Sequence, residues 1–262
     1  MECSHQKFSM MNGRKYLFLL IGCALLVGCQ KPAGNVSFRF TFSVDGEPLQ
    51  QDTMLYTNAA GNQYEVTEAQ YFISNVILTK SDGTQVSILA DSSAHYVDAD
   101  IPATQHWTPT DKIPAGTYQS LTFVFGLSPE LNMTNFYVNP PENNMSWPIL
   151  LGGGYHHLKI NGRWKTPQGD VTPFNLHMGN GQEYDAAGNL SGVINNSFTV
   201  TLPCHLQVSG NETQILTLDM DVNRWFDNPY IFDWNVIGGS IMQNQTAQEM
   251  LKANGNDVFQ VR

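Results

Sequence analysis

The sequence has little charge and almost no cysteine beyond its first segment. Charged residues make up 14 % of the 262 residues, and the formal net charge is −10. Since nucleic acid is bound through basic surfaces, this acidity predicts no nucleic-acid partner. After Cys29 only Cys204 remains. A domain that follows residue 29 therefore has no intramolecular disulfide and must be held by its core, while Cys204 is either a buried, inert thiol or a soft metal ligand.

The common catalytic signatures are also missing. No Gly-x-Ser-x-Gly elbow, Walker loop, Gly-x-Gly-x-x-Gly turn after a strand or His-Glu-x-x-His helix occurs in the chain. These absences remove support for an ordinary hydrolase or nucleotide-dependent enzyme. We therefore expect a protein that is not an enzyme.

The N-terminal segment has the pattern of an export signal. Arg14 and Lys15 precede an apolar stretch at 16–27 that is too short to span a bilayer comfortably. The stretch ends in Leu-Val-Gly-Cys at 26–29, which resembles the bacterial lipobox, although an ordinary secretory signal with an accidental cysteine is the alternative. We predict a lipoprotein signal peptide at 1–28, lipidation of Cys29 and a tether at 29–35. The protein would then be attached to a membrane through its N-terminal lipid, in the periplasm or at the cell surface.

Most of the remaining chain alternates apolar and polar residues. Strands are predicted at 36–44, 71–80, 85–89, 120–125, 197–202 and 216–222, with a hairpin turn at Asp82-Gly83 and a second at Asn161-Gly162. A single convincing helix is predicted at 246–254, with Gly255 in the position of a left-handed cap. The predicted fold class is all-β: an antiparallel β-sandwich with one short C-terminal helix, in one domain at 36–262.

Histidine, methionine and tryptophan are concentrated in the middle of the chain. His156 and His157 are adjacent, so in a strand they point to opposite faces, and one of them could meet His177 from a neighbouring strand. Imidazole with thioether or thiolate suits copper, and imidazole alone also suits zinc. Met178 beside His177 and Cys204 beside His205 offer such soft donors. The alternative is that these histidines are hydrogen-bonded strand residues and the methionines fill the core.

Several segments recur in the order seen in a known family: 71–76, 145–147, 154–162, 174–179 and 254–259. Together they resemble the MbnP-like lipoprotein family over nearly the whole chain from residue 36. The resemblance implies a β-rich extracytoplasmic domain associated with copper, with a di-haem cytochrome c peroxidase-like protein as its usual companion. The related proteins MopE and CorA are similar in holding copper through histidines and a tryptophan oxidised to kynurenine.

This chain departs from that pattern because the Trp-x-His arrangement of the MopE kynurenine site does not occur. Trp107, Trp147 and Trp164 are candidates for such oxidation, and Trp147 is taken as the first of them. We expect a copper-capturing or copper-buffering lipoprotein with His156, His157 and His177 as candidate ligands. The alternative is a surface interaction or glycan-binding module in which Trp107 and Trp225 line an open groove.

Overall fold

Strands account for most of the regular structure in the computed structural model, which describes residues 32–210 and 212–262. The predicted signal peptide, Cys29 and the first residues of the tether lie outside the described residues. In chain order the strands are β1 (Ala33–Val44), β2 (Glu47–Pro48), β3 (Tyr56–Thr57), β4 (Gln63–Lys80), β5 (Gln85–Ser87), β6 (Ala94–Asp98), β7 (His106–Trp107), β8 (Ile113–Pro114), β9 (Gly116–Phe125), β10 (Leu158–Lys165), β11 (Val171–Met178), β12 (Gly181–Tyr184), β13 (Leu190–Ile194), β14 (Phe198–Val208), β15 (Thr213–Asp221) and β16 (Phe259–Val261). The helices are α1 (Trp234–Ile237) and α2 (Gln245–Asn254). No helix in the described part of the chain is long and apolar enough to cross a membrane.

Two large sheets are built from these strands. The first has the order β16-β15-β1-β2, with β7 and β8 also pairing with β1, and the second has the order β11-β10-β4-β9-β14, with β3, β5 and β6 also pairing with β4. A separate hairpin joins β12 to β13. The strand pairs are antiparallel, except that β1 and β15 run parallel. The all-β, mainly antiparallel fold predicted from the sequence is therefore confirmed.

The core lies between the two sheets because the alternating strands turn one apolar face inward. On β1, Phe38 and Phe40 are buried and Arg39 between them is exposed. Phe40 meets Tyr71 of the second sheet edge-on, with ring centroids 6.4 Å apart. Burying aromatic side chains from both sheets in this way stabilises the sandwich without any disulfide. Strand β1 begins at Ala33, so residues 33–35, predicted as the end of the tether, pair within the sheet.

The first predicted hairpin is present, and the second is not. Strands β4 and β5 pair around Asp82-Gly83, where Gly83 has φ 85°. By contrast, β10 runs straight through Asn161-Gly162, and the chain reverses at 166–170. Glycine is required at position 162 because β4 approaches β10 closely there: a Cβ on residue 162 would overlap the carbonyl oxygen of Glu65. The pairing of β10 with β4 shifts register at this point.

The predicted C-terminal helix is present as α2. Its first turn is capped by Asn244, whose side chain accepts a hydrogen bond from the backbone N–H of Ala247 at 3.1 Å. The prediction for Gly255 was wrong, because this residue has φ −59° and is not left-handed. Glycine is required there by packing, since a Cβ would overlap the ring of Phe198.

Candidate metal centre

The candidate site lies beneath the long connection from β9 to β10, residues 126–157. Along β4, Tyr71 faces the core between the sheets and Phe72 faces the other side, where this connection covers it. A second, smaller apolar cluster forms under the connection from Phe72, Ala94, Tyr96, Leu127, Met145 and Tyr155. The connection is therefore a packed layer on the outer face of the larger sheet.

The end of this connection is a tight loop that brings Trp147 opposite Gly154. The N–H of Trp147 donates to the carbonyl oxygen of Gly154 at 2.8 Å. Gly152, Gly153 and Gly154 have φ values of 105°, 65° and 84°, which side chains rarely adopt. These backbone angles let the chain turn back into β10.

Trp147 packs directly on the end of β11. Its ring occupies the position that a Cβ on Gly179 would take, and its Nε1 donates to the carbonyl oxygen of Leu151 at 3.0 Å. The indole is buried and meets the His156 ring edge-on, with centroids 4.7 Å apart. Gly179 therefore leaves room for the indole, which lies beside the imidazole of His156.

His156 and His177 come together across the sheet. Their ring centroids are 4.9 Å apart and the ring planes are nearly perpendicular, at 87°. Metal–nitrogen bonds of about 2.0–2.1 Å put each centroid about 3 Å from a bound ion, so two imidazoles on one ion lie at most about 6 Å apart. The observed separation falls within that limit.

His156 has one nitrogen engaged and one without a partner. Its Nδ1 lies 2.9 Å from the carbonyl oxygen of Met145. A carbonyl oxygen only accepts, so Nδ1 carries the proton and Nε2 carries the lone pair. This Nε2 is buried and makes no hydrogen bond within the described residues. An unpaired buried lone pair on a ring next to a second imidazole is what a soft metal ion would satisfy.

Both imidazoles are held neutral. Burial lowers the pKa of His156 to about 4 and that of His177 to about 3, with the nearby Lys159 lowering both further. A neutral imidazole is the form that binds a metal ion, because the lone pair must be free of a proton. The pair is therefore in the ligand-competent form throughout the neutral pH range.

His157 lies elsewhere, on the opposite side of the chain from His156. Its Nδ1 accepts a hydrogen bond from the backbone N–H of Leu127 at 3.2 Å, and its ring fills the space beside Gly126. Its backbone joins β4 to β11, donating to Met178 and accepting from Phe72. The opposite orientation of the two histidines is as predicted, and of the three candidate ligands only His156 and His177 are brought together.

The predicted soft donors do not join the pair. Met178 points from β11 into the core, and His177 points to the other face. On β14 the thiol of Cys204 is buried, with its pKa raised by burial, and His205 is exposed on the opposite face. These two neighbours cannot bind one ion together. No group of three or more His, Cys, Asp or Glu side chains within the described ranges is arranged to hold a metal ion.

The tryptophans do not form a surface platform. All five are buried, and the most exposed, Trp164, is only 6 % accessible. Trp107 stacks on His95 with centroids 5.1 Å apart and donates from Nε1 to Asp91 at 2.6 Å. Trp225 is completely buried. The open groove lined by Trp107 and Trp225, on which the glycan-binding alternative depended, is therefore absent from the structure.

Three groups at the site were missed by reasoning from sequence: the Met145 carbonyl, Asn161 and Glu68. His177 Nε2 lies 2.8 Å from Asn161 Oδ1, and Asn161 Nδ2 donates to Glu68 Oε2 at 2.6 Å. The Asn161-Gly162 pair predicts a turn, whereas the structure places Asn161 within β10. Extending the strand alternation through it would have placed Lys159, Asn161 and His177 on one face.

The fold and this cluster define a β-sandwich domain with a buried histidine pair and an adjoining tryptophan. The profile of the MbnP family matches residues 33–243, and the chain belongs to that family. Among solved structures, MbnP from Methylosinus trichosporium is similar in fold, with a TM-score of 0.53, 17 % identity and coverage of 74 % of this chain and 78 % of that one. No curated protein matches the sequence.

Proposed function

We propose that this protein is a lipid-anchored, extracytoplasmic copper-binding protein that captures or buffers copper without catalysing a reaction. The observation that carries the proposal is the buried Nε2 lone pair of His156, which has no partner and adjoins the imidazole of His177. Leaving such an acceptor unpaired costs free energy, on the order of 1–3 kcal/mol, unless a ligand uses it. The MbnP family assignment supports copper as that ligand.

Two imidazoles alone leave coordination positions to be filled. Trp147 is a residue that oxidation could convert into a ligand at this site, since its indole is in edge contact with His156. Conversion to kynurenine by two equivalents of hydrogen peroxide, the oxidant of a peroxidase, breaks the C2–C3 bond of the indole as two oxygen atoms enter and two water molecules leave. Hydrolysis then releases C2 as formate. The product has an aniline nitrogen and a ketone oxygen in place of the indole. We propose a di-haem cytochrome c peroxidase-like protein as the partner that performs this oxidation.

Metal titration tests the copper proposal. The purified domain is titrated with Cu(I) and Cu(II), and in parallel with Zn(II), against a competing chelator. We expect one copper ion per chain at micromolar concentration or below, and at least a tenfold loss of affinity in His156→Ala and in His177→Ala. The matched control is His205→Ala, because His205 is exposed on β14 and should leave binding unchanged. The proposal would be contradicted if a variant with both His156→Ala and His177→Ala bound copper as tightly as the wild type. A preference of the wild type for zinc over copper would also contradict it.

The anchor is tested separately. Cells that express the full chain are grown with a radiolabelled fatty acid, and the protein is isolated from the membrane fraction. We expect label in the wild-type protein and none in Cys29→Ala. Label that persists in Cys29→Ala would show that the lipid is attached elsewhere, and the absence of label in the wild type would contradict the anchor while leaving copper binding intact.

A further inference from the structure

We propose that Asn161 and Glu68 act as positioning residues that fix the tautomer of His177, so that its Nδ1 is left free to bind the metal ion. This inference rests on the proposed copper function and deepens it. It concerns side chains that lie outside the histidine pair itself. The starting observation is a hydrogen-bonded chain that runs across three strands, from Glu68 on β4 through Asn161 on β10 to His177 on β11.

The directions of the two hydrogen bonds that link Glu68, Asn161 and His177 follow from the chemistry of Glu68. The carboxylate of Glu68 can only accept, so the group of Asn161 that faces it must be the amide NH₂. The Nδ2–Oε2 distance of 2.6 Å fits a charge-assisted hydrogen bond. With its nitrogen committed to Glu68, Asn161 presents its oxygen to His177, at 2.8 Å from Nε2.

An amide oxygen also only accepts, so Nε2 of His177 must be the nitrogen that carries the proton. In a neutral imidazole the other nitrogen, Nδ1, then holds the lone pair. Among the described residues, the His177 ring makes its one hydrogen bond through Nε2, which leaves Nδ1 without a hydrogen-bond partner. The same logic at Met145 leaves the lone pair of His156 on Nε2. Each ring therefore has one nitrogen that donates to protein and one that is free for a metal ion.

Strand pairing holds these hydrogen-bonded side chains in place. Asn161 pairs with Glu68 in the β10–β4 register and with Asn175 in the β10–β11 register. The Nζ of Lys159, which pairs with His177, lies 3.7 Å from the same oxygen, Glu68 Oε2. Ligand histidines in proteins commonly donate their second N–H to such partners, whose loss lowers metal affinity by about 10–100-fold.

The experiment reads the tautomer directly and measures copper affinity separately. Imidazole nitrogen shifts of the metal-free protein are recorded by NMR with labelled histidine, for the wild type, Asn161→Ala, Asn161→Asp and Glu68→Gln. In the wild type we expect His177 as the Nε2–H form. Asn161→Ala removes the acceptor and Glu68→Gln removes the fixed amide orientation, so both should show a mixture of tautomers and about 10–100-fold weaker copper binding. Asn161→Asp keeps an acceptor and should retain the Nε2–H form.

Asn175→Ala is the matched control, because Asn175 is an exposed asparagine on the same pair of strands with no side-chain hydrogen bond to His177. It should change neither the tautomer nor the affinity. The inference is overturned if Asn161→Ala and Glu68→Gln bind copper as the wild type does, or if His177 is the Nδ1–H form in the wild type. A wild-type protein that binds no copper while His177 is in the Nε2–H form would contradict the proposed function alone. If Asn161→Ala does not fold, Glu68→Gln decides.

Discussion

The rings of His156 and His177 lie 4.9 Å apart at 87° to each other, although one precedes β10 and the other lies near the end of β11. Neither ring has an ion-pair partner among the described residues, and His156 keeps an unpaired nitrogen in a buried position. Two neutral rings with a free lone pair are poised for a metal ion.

Copper affinity should vary little with pH above about 5. The pKa of His156 is lowered to about 4 and that of His177 to about 3, so protons compete with the metal ion only in acid. An exposed pair with ordinary pKa values near 6.5 would already lose affinity below neutrality. Affinity measured with a chelator of known pH response, between about pH 5 and 8, distinguishes the two cases. A steep loss around pH 6.5 would contradict the buried site.

The stability of the metal-free protein should fall as the pH is lowered from neutrality. The pKa values of His95, His156, His157 and His177 are about 4, 4, 3 and 3 in the folded chain. Because these values are lowered from about 6.5, the unfolded chain binds more protons between the two limits. The contribution is fully present above about pH 6.5 and is lost as the pH falls towards the folded values, with a slope of up to about 1.4 kcal/mol per pH unit for each histidine.

Urea denaturation at several pH values between about 5 and 7 measures that slope. A variant that lacks one of the four histidines should show a shallower dependence than the wild type. A free energy of unfolding that does not change over this range would mean that the histidines titrate normally in the folded state.

His157→Ala should destabilise the fold and spare copper binding. The substitution removes a fully buried ring and leaves the N–H of Leu127 without its acceptor, which together cost about 2–4 kcal/mol in free energy of unfolding. The histidine pair is untouched, so the stoichiometry of copper should remain at one per chain. Chemical denaturation and metal titration of the same preparation check both statements. Loss of copper binding in a folded His157→Ala protein would indicate that His157 is a copper ligand.

Gly154→Ala should disturb the loop that carries Trp147. Gly154 has φ 84°, and an added Cβ would lie 2.9 Å from the carbonyl oxygen of Asn132 and overlap its side-chain oxygen. Gly188 has a similar φ of 81° with nothing near the added atom, so Gly188→Ala isolates the backbone penalty of about 1 kcal/mol. The free energy of unfolding should fall further in Gly154→Ala than in Gly188→Ala. Equal decreases in the free energy of unfolding would show that the loop accommodates the added methyl group at position 154 without further strain.

Trp147 should be the oxidised tryptophan in protein isolated from its native host. Peptide mass spectrometry would then find one carbon lost and one oxygen gained at residue 147, with Trp107 and Trp164 intact. Trp147 is favoured because it contacts His156, a member of the proposed copper-binding pair. Trp107 instead stacks on His95, which is not part of that pair. Trp147→Phe should keep the fold and weaken copper binding relative to the oxidised protein. Oxidation of Trp107 or Trp164 instead, with Trp147 unchanged, would separate kynurenine formation from the histidine pair.

The sequence by itself determined the strand-rich fold, because alternation of apolar and polar residues is a local property that appears in 36–44, 120–125 and 197–202 without any knowledge of the partner strands. It also determined α2, because the helix-forming pattern at 246–254 is local to that segment. It indicated that His156 and His157 face opposite ways, since this follows from the strand period of two.

Only the tertiary structure decided which of them meets His177. That choice depends on the loop between β9 and β10, which folds back so that the Met145 carbonyl receives the His156 ring, while His157 fills the space at Gly126. The role of Asn161 was hidden for the same reason. Asn-Gly is a common turn, and only pairing with β4 and β11 turns it into a strand position whose side chain reaches His177. Contacts of this kind join residues far apart in sequence, and no local pattern records them.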